Sequence, residues 1–124
     1  MSIWKRMAMA FYWSQAQHHS RLGNIATAMK YATKIDGNKK RRLIRDAFIA
    51  GLTLRSNAYE EAIDKFNRLV NDKSSDEDQD SLYVRAFCRY WLAEINGEKV
   101  EALAALQDAR STKCKPILRK WLPM

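Results

Sequence analysis

The chain is 124 residues long, 47% apolar, and carries a formal net charge of +8. That length suits one domain whose core needs no disulfide or metal staple, and that apolar share excludes wholesale disorder. With four Gly and two Pro there are few breakers, and alternating runs of Val, Ile and Thr are missing, so an all-α fold is predicted.

The charge is uneven. Residues 1–57 hold 11 Lys/Arg and 2 acids, a net +9, whereas residues 58–124 hold 11 and 12, a net −1. The first half should therefore steer encounter with an acidic partner. Cys88 and Cys114 stand in no paired motif and read as buried small residues or bystanders, not ligands. A reducing interior is the default for such a chain, and the expected location is the cytoplasm. No stretch approaches the roughly 18 apolar residues of a membrane span. Lys5 and Arg6 precede the apolar run Met7 to Trp13, but that run is short, aromatic and followed by Ser14, Gln15 and Gln17. It reads as mature structure instead of a signal peptide.

A first helix is predicted over Ser2 to Leu22, with Trp4, Met7, Met9, Phe11, Trp13 and Ala16 placing apolar residues on more than one side. Such a helix is expected to be buried on two faces. Gly23 can take a left-handed cap and Asn24 can cap the next helix. That second helix, Ile25 to Ile35, has Ile25, Ala28, Met29, Ala32 and Ile35 on one stripe and ends at Asp36-Gly37-Asn38. A third runs from Lys39 to Arg55 on Leu43, Ile44, Ala47, Phe48, Gly51, Leu52 and Leu54. Asn57 with Glu60 three residues on resembles a capping box, so a fourth helix is expected over Ala58 to Val70. Residues 71–80 form a polar, acidic linker expected to face solvent and to move. A fifth helix, Ser81 to Ile95, stops at Asn96-Gly97, and a sixth, Lys99 to Arg110, should turn Val100, Leu103, Ala104, Leu106 and Ala109 inward. Lys115-Pro116 opens a short seventh helix, with Ile117, Leu118, Trp121 and Leu122 covering the end of the stack.

Gly23 to Tyr31 and Asn57 to Lys65 match each other 34 residues apart, a period that marks stacked helical hairpins. Ala28, Ala62 and Ala102, early in each second helix, are separated by 34 and then 40 residues, the excess falling at the acidic linker. The expected architecture is a single domain, 1–124, of three stacked antiparallel helix hairpins over 2–37, 39–72 and 80–111, plus a terminal helix over 115–122.

Asn57-Ala58-Tyr59-Glu60-Glu61-Ala62-Ile63-Asp64-Lys65-Phe66 resembles the second-helix pattern of the tetratricopeptide repeat (TPR) family. Leu22-Gly23-Asn24 with Ala28-Met29, and Gly97 to Leu103, are weaker copies, and the family's usual first-helix Leu-Gly pair is here Gln15-Ala16, Ile49-Ala50 and Arg89-Tyr90. Other α-solenoid hairpins and a non-repeat bundle remain open. The resemblance implies a right-handed superhelix with a concave groove lined by first helices. Carried over position by position, that groove would present Trp13, Gln17 and Arg21, then Ile44, Phe48, Gly51 and Arg55, then Val84, Phe87 and Trp91. The family's chaperone-tail adaptors hold a carboxylate with Lys, Asn and Arg. Comparable places here carry Trp13, Gln17, Phe48, Gly51, Val84 and Cys88, so that clamp is missing. The aromatics either anchor a peptide or fill the inside of the turn.

His18 and His19 point about 100° apart on a helix and cannot form one tight metal site. No phosphate loop or nucleophile–base set is legible, so no enzyme activity, cofactor or metal is expected. Lys39, Lys40, Arg41 and Arg42, with Arg45 one turn on, are the sharpest electrostatic feature. Cations at a helix start oppose its dipole. They read either as a contact for acidic protein, phosphate or anionic membrane, or as a solvated turn. Lys113, Lys115, Arg119 and Lys120 form a second basic cluster with the same two readings. The N-terminal helix also admits a membrane-surface reading, with Trp4, Phe11 and Trp13 immersed and Lys5 and Arg6 at headgroups, although packing as a first repeat helix accounts for the same residues.

The function expected from these residues is a protein- or peptide-binding module, an accessory subunit or chaperone-like adaptor, whose partner is acidic. The alternative is a basic helical module that binds nucleic acid non-specifically, and a third reading is self-association through the first or last helix.

Overall fold

A computed structural model describes residues 2–72 and 78–124. Every regular element among them is a helix: α1 (Ile3–Arg21), α2 (Ile25–Ala32), α3 (Lys39–Arg55), α4 (Tyr59–Asn71), α5 (Gln79–Asn96), α6 (Lys99–Ser111) and α7 (Pro116–Trp121).

The helices begin in two ways. Each odd-numbered helix of the first six opens on a side-chain cap: the Ser2 hydroxyl accepts from the Lys5 amide at 3.2 Å, Asn38 from Arg41 at 2.8 Å, and Asp78 from Ser81 at 2.8 Å. Such a cap satisfies an amide that the helix start leaves orphaned. Helices α2, α4 and α6 have no side-chain cap. They follow instead from one turn used three times. Gly23, Asn57 and Gly97 all have positive φ, at 80°, 66° and 72°. Each is followed by a residue whose amide reaches back five positions to close the preceding helix: Asn24 to the His19 carbonyl, Ala58 to Thr53 and Glu98 to Ala93. This is the left-handed helix stop. The carbonyls of those same residues, Asn24, Ala58 and Glu98, then accept from the amides of Ala28, Ala62 and Ala102. The 34- and 40-residue spacings of the sequence are therefore those of one repeated backbone motif.

Two capping expectations change accordingly. Asn57 does not cap α4; it stands in the left-handed position that Gly23 and Gly97 fill elsewhere, and the Tyr59 hydroxyl donates to its side chain at 3.2 Å. Asn24 contacts the His19 ring at 3.4 Å and leaves its helix start uncapped.

Consecutive pairs α1–α2, α3–α4 and α5–α6 pack together, and α2–α3, α4–α5 and α3–α5 join one pair to the next. Contacts at opposite ends give the directions. Asn24 meets His19 beside the turn, Tyr31 meets the edge of Phe11 farther along, and the Asp36 amide lies 3.2 Å from the Met9 sulfur at the far end, so α1 and α2 are antiparallel. In α5 and α6, Arg89 pairs with Asp108 at 3.1 Å, and Gln79 accepts from the Lys113 amide at 2.7 Å, again antiparallel. The ends of α1 and α3 meet where Arg55 donates to the Ser20 hydroxyl and carbonyl at 2.7 and 2.9 Å. The starts of α3 and α5 meet through Lys40, which lies 3.2 Å from Asp78 and 3.3 Å from Asp80. Ala28, Ala62 and Ala102 are all buried, because a methyl side chain lets two helices approach closely.

Three further expectations are corrected. Helix α6 buries Ala102, Ala105 and Ala109, and leaves Val100, Leu103 and Ala104 in solvent: its alanines, not its larger residues, fit the close approach to α5. Helix α1 is not buried on two faces, since Ile3, Trp4, Met7 and Phe11 are exposed. Helix α7 buries Leu118 and Leu122 and leaves Ile117 exposed. It turns back to α5, where the buried Tyr83 hydroxyl donates to the Leu122 carbonyl at 2.8 Å, and to α1, where Trp121 meets Trp13. Of the acidic linker, residues 73–77 lie outside the described residues. Its end is structural and not solvated: Asp78 caps α5, and Asp80 is buried.

The alanine positions can be tested directly. Ala28→Leu and Ala62→Leu should each lower unfolding stability by about 1–3 kcal/mol through overpacking, while Ala104→Leu, on the open side of α6, should leave the urea midpoint unchanged. At the turns, a Cβ at Gly23 or Gly97 would meet nothing within 4 Å. Gly23→Ala and Gly97→Ala should thus cost only the left-handed conformational penalty, about 1 kcal/mol each.

Candidate binding cleft

The spacing of four residues along α1 puts Met9, Trp13, Gln17 and Arg21 on one helical face, and that face forms a wall of a cleft of about 1120 Å³. The opening turns of α3 supply Lys40, Arg41 and Ile44, and α7 supplies Ile117, Leu118 and Trp121. Asp80 and Lys115 close one end. The floor is aromatic: the Trp13 ring lies 5.1 Å from Phe48 and 4.6 Å from Trp121, the latter edge-on at 81°.

The lining is cationic. Among the described residues, Arg6, Arg21, Lys40, Arg41 and Lys115 line the cleft with one carboxylate, Asp80, which is already engaged by the Lys40 ammonium and by the Lys115 amide at 2.9 Å. Hydrogen bonds to Asp78 and Asp80 raise the Lys40 pKa above the ordinary lysine value. Burial works against ionisation of Asp78, yet the Ser81 hydroxyl and amide, with Lys40, hold its carboxyl below the usual range. This cluster locks the start of α3 to the start of α5 and to the segment entering α7.

Two donors lie buried at the cleft without an acceptor among the described residues: Trp13 Nε1 and Gln17 Nε2. Gln17 is only 8% exposed. A buried donor left unpaired costs about 1–3 kcal/mol, and here two occur on successive turns of one helix.

Trp13, Gln17, Arg21 and Ile44 are thus brought together with Lys40 and Arg41. The other groove candidates lie elsewhere. Phe48 is buried beneath Trp13, and Phe87 is buried against Phe66 at 6.2 Å. Trp91 packs on Phe87 and Tyr90, outside the cleft, and Arg55 is held on Ser20. Helix α7 lays Leu118 and Leu122 into the core and meets α5 at Tyr83. Of the basic run, Lys39, Arg42 and Arg45 line a separate recess of about 210 Å³ with Asp46, Leu69 and Asp72. Arg45 donates to the Ile35 carbonyl at 2.7 Å and to Asp46 at 2.9 Å. In the second basic cluster, Arg119 closes α6 by donating to the Thr112 carbonyl at 2.8 Å and stacks over Tyr83 at 5.0 Å.

Asp80, Lys115 and Trp121 escaped the sequence reading as cleft residues. Asp80 belongs to an acidic run, and the two α7-side residues have no spacing relation to α1, so only the fold-back of α7 brings them in. His18 stands at the cleft rim, while His19 stacks on Tyr31 at 5.8 Å. Among the described residues no group of three or more His, Cys, Asp and Glu side chains could hold a metal. Cys88 and Cys114 are free and buried. Burial pushes the Cys88 thiol well above its ordinary value, so it is a poor nucleophile. No described helix is long and apolar enough to cross a membrane. Compared with known proteins, the chain matches no family model, no curated protein and no solved structure.

Replacing Gln17 by Met removes an unsatisfied amide without opening a void. Gln17→Met should therefore raise the stability of the free chain by about 1 kcal/mol in urea unfolding. The Lys40 cluster has a pH signature. Asp78, with its lowered folded value, stabilises above the unfolded carboxylate value near 3.9 and loses that contribution as pH falls through the folded value. Lys40, with its raised folded value, stabilises below the unfolded lysine value near 10.4 and loses it as pH rises through the folded one. Lys40→Met should lower the unfolding free energy at neutral pH by about 1 kcal/mol, screened by solvent, and this gap should close toward both extremes of pH.

Proposed function

We propose that the chain is a helical-repeat protein-binding module and that the cleft is its binding site. In this reading α1–α2, α3–α4 and α5–α6 are three TPR-like hairpins stacked as a right-handed superhelix. The threefold recurrence of the left-handed turn with its buried alanine supports that reading. The occupant is a short segment of an acidic partner, carrying a bulky apolar side chain for the Trp13–Trp121 floor and carboxylates for Arg6 and Arg21 at the rim. The chain acts as an adaptor or accessory subunit, without catalysis, in the reducing cytoplasm, where its two buried thiols stay free.

The observation that carries the proposal is the pair of buried donors, Trp13 Nε1 and Gln17 Nε2, beside an aromatic floor in a cationic cleft. A peptide carbonyl or carboxylate satisfies such donors. The nucleic-acid alternative draws less support, because Lys40 and Arg45 are committed to protein acceptors and the basic run is divided between two recesses.

A peptide library displayed on phage and panned against the purified chain tests this. The expected consensus combines acidic residues with one aromatic or large aliphatic anchor. Arg21→Glu should slow association and flatten its salt dependence, and Gln17→Met should weaken binding roughly tenfold despite the firmer fold. A library that yields no consensus, or binders indifferent to both substitutions, defeats the proposal. Salt-steep binding of any nucleic acid sequence with equal strength would favour the alternative.

A further inference from the structure

An ordinary surface helix has one apolar face, turned to the core. Helix α1 has two. Met9, Trp13, Ala16 and Gln17 point to the protein, with Ala16 and Gln17 buried. On the other side Ile3, Trp4, Met7 and Phe11 are 69%, 76%, 57% and 53% exposed. At 100° per residue these four fall within a sector about 100° wide, so they form one continuous stripe along the N-terminal half of α1. None of them lines the cleft. A contiguous apolar patch of large side chains marks an interaction surface, whereas scattered apolar residues need no such explanation.

The charge around the stripe is mainly positive, with the exposed Asp36 carboxylate near enough to Lys5 to feel its charge. Residues 1–35 contain five Lys/Arg and no Asp or Glu. Lys5 and Arg6 are exposed on α1 itself. On α2, Lys30 is exposed, and the Lys34 ammonium sits 5.4 Å from the Tyr12 ring and 5.6 Å from the Tyr31 ring. Phe11 is held edge-on by Tyr31 at 6.1 Å, so the stripe is anchored to its basic neighbour helix.

From this juxtaposition we infer that the outer face of α1 docks on an anionic lipid surface, with Ile3, Trp4, Met7 and Phe11 immersed at the headgroup–acyl boundary and the cations of α1 and α2 against the headgroups. The chemistry favours lipid over a second copy of the chain, since self-association through α1 would press together two surfaces on which cations outnumber carboxylates. The ridge of a single helix is convex and suits a flat, deformable apolar medium, and interfacial Trp with flanking Lys and Arg is the composition such a surface selects. This inference rests on the stripe with Lys5, Lys30 and Lys34, none of which lines the cleft.

Co-sedimentation of the intact chain with vesicles tests it, using phosphatidylcholine alone and phosphatidylcholine mixed with phosphatidylserine. Binding should be at least about tenfold stronger to the anionic vesicles and should fall with added salt. The triple variant Ile3→Ser, Trp4→Ser, Met7→Ser should lose about tenfold or more with unchanged helix content and melting. If the triple variant is unstable, Trp4→Ser alone gives the same reading, because that ring is mostly in solvent. Gln17→Met should bind vesicles like the parent. Equal or no binding to the two vesicle types overturns the inference, as does a triple variant that binds normally. A dimer seen by light scattering that the triple variant dissolves overturns it too, by assigning the stripe to a second copy.

Discussion

The structure depends on one backbone constraint met three times: a residue in left-handed conformation that stops a helix and sends the chain back along it. Gly23, Asn57 and Gly97 occupy that position, and in each case the helix that follows opens with the carbonyl of the next residue accepting from a buried alanine amide. The turn sets where the second helix begins, and the alanine sets how near it lies to the first. A single cluster of buried residues runs through all three helix pairs to Leu118 and Leu122.

Polar contacts then fix the direction and spacing of the pairs. Arg55 on Ser20 joins α3 to α1, and Lys40 on Asp78 and Asp80 joins α3 to α5. The same carboxylate of Asp80 accepts from the Lys115 amide, so the lock extends to the segment that leads into α7. With its entry held there, α7 swings over the inner side of α5 and brings Trp121 to Trp13. A cationic cleft with an aromatic floor is the consequence. It is assembled from residues far apart in the chain, and it leaves two buried donors without acceptors among the described residues.

The first two helices add a second surface. Their lack of any carboxylate before Asp36 concentrates the chain's excess charge beside the exposed stripe of α1, while the cleft on the other side of the same helix takes its share through Arg6 and Arg21. One helix thereby borders a cleft on one side and carries an exposed apolar stripe on the other. This explains why its sequence shows apolar residues all round and only weak helical patterning.

Helix number, order and approximate ends were legible in the sequence because capping residues, left-handed stops and breakers act within a few positions of themselves. Ser2, Asn38, Gly23 and Gly97 illustrate this. The alanine period was legible for the same reason: close helix approach demands a small residue at a set distance from the turn. Asn57 was misread because Asn serves both as a helix start and as a left-handed stop, and local pattern does not separate the two. The faces of α1 and α6 were not legible, since periodicity says that a helix has an apolar side but not which neighbour covers it. Trp4 and Val100 lie open because nothing among the described residues packs there, and Phe48 and Phe87 are core because Trp13 and Phe66 pack against them. The sequence by itself determined the helices and their turns, which are governed by local sterics and hydrogen bonding. Only the tertiary structure decided which side chains meet across the fold, because the path of α7 is set by contacts such as Tyr83 to Leu122 and Asp80 to Lys115, between residues with no local relation in the chain.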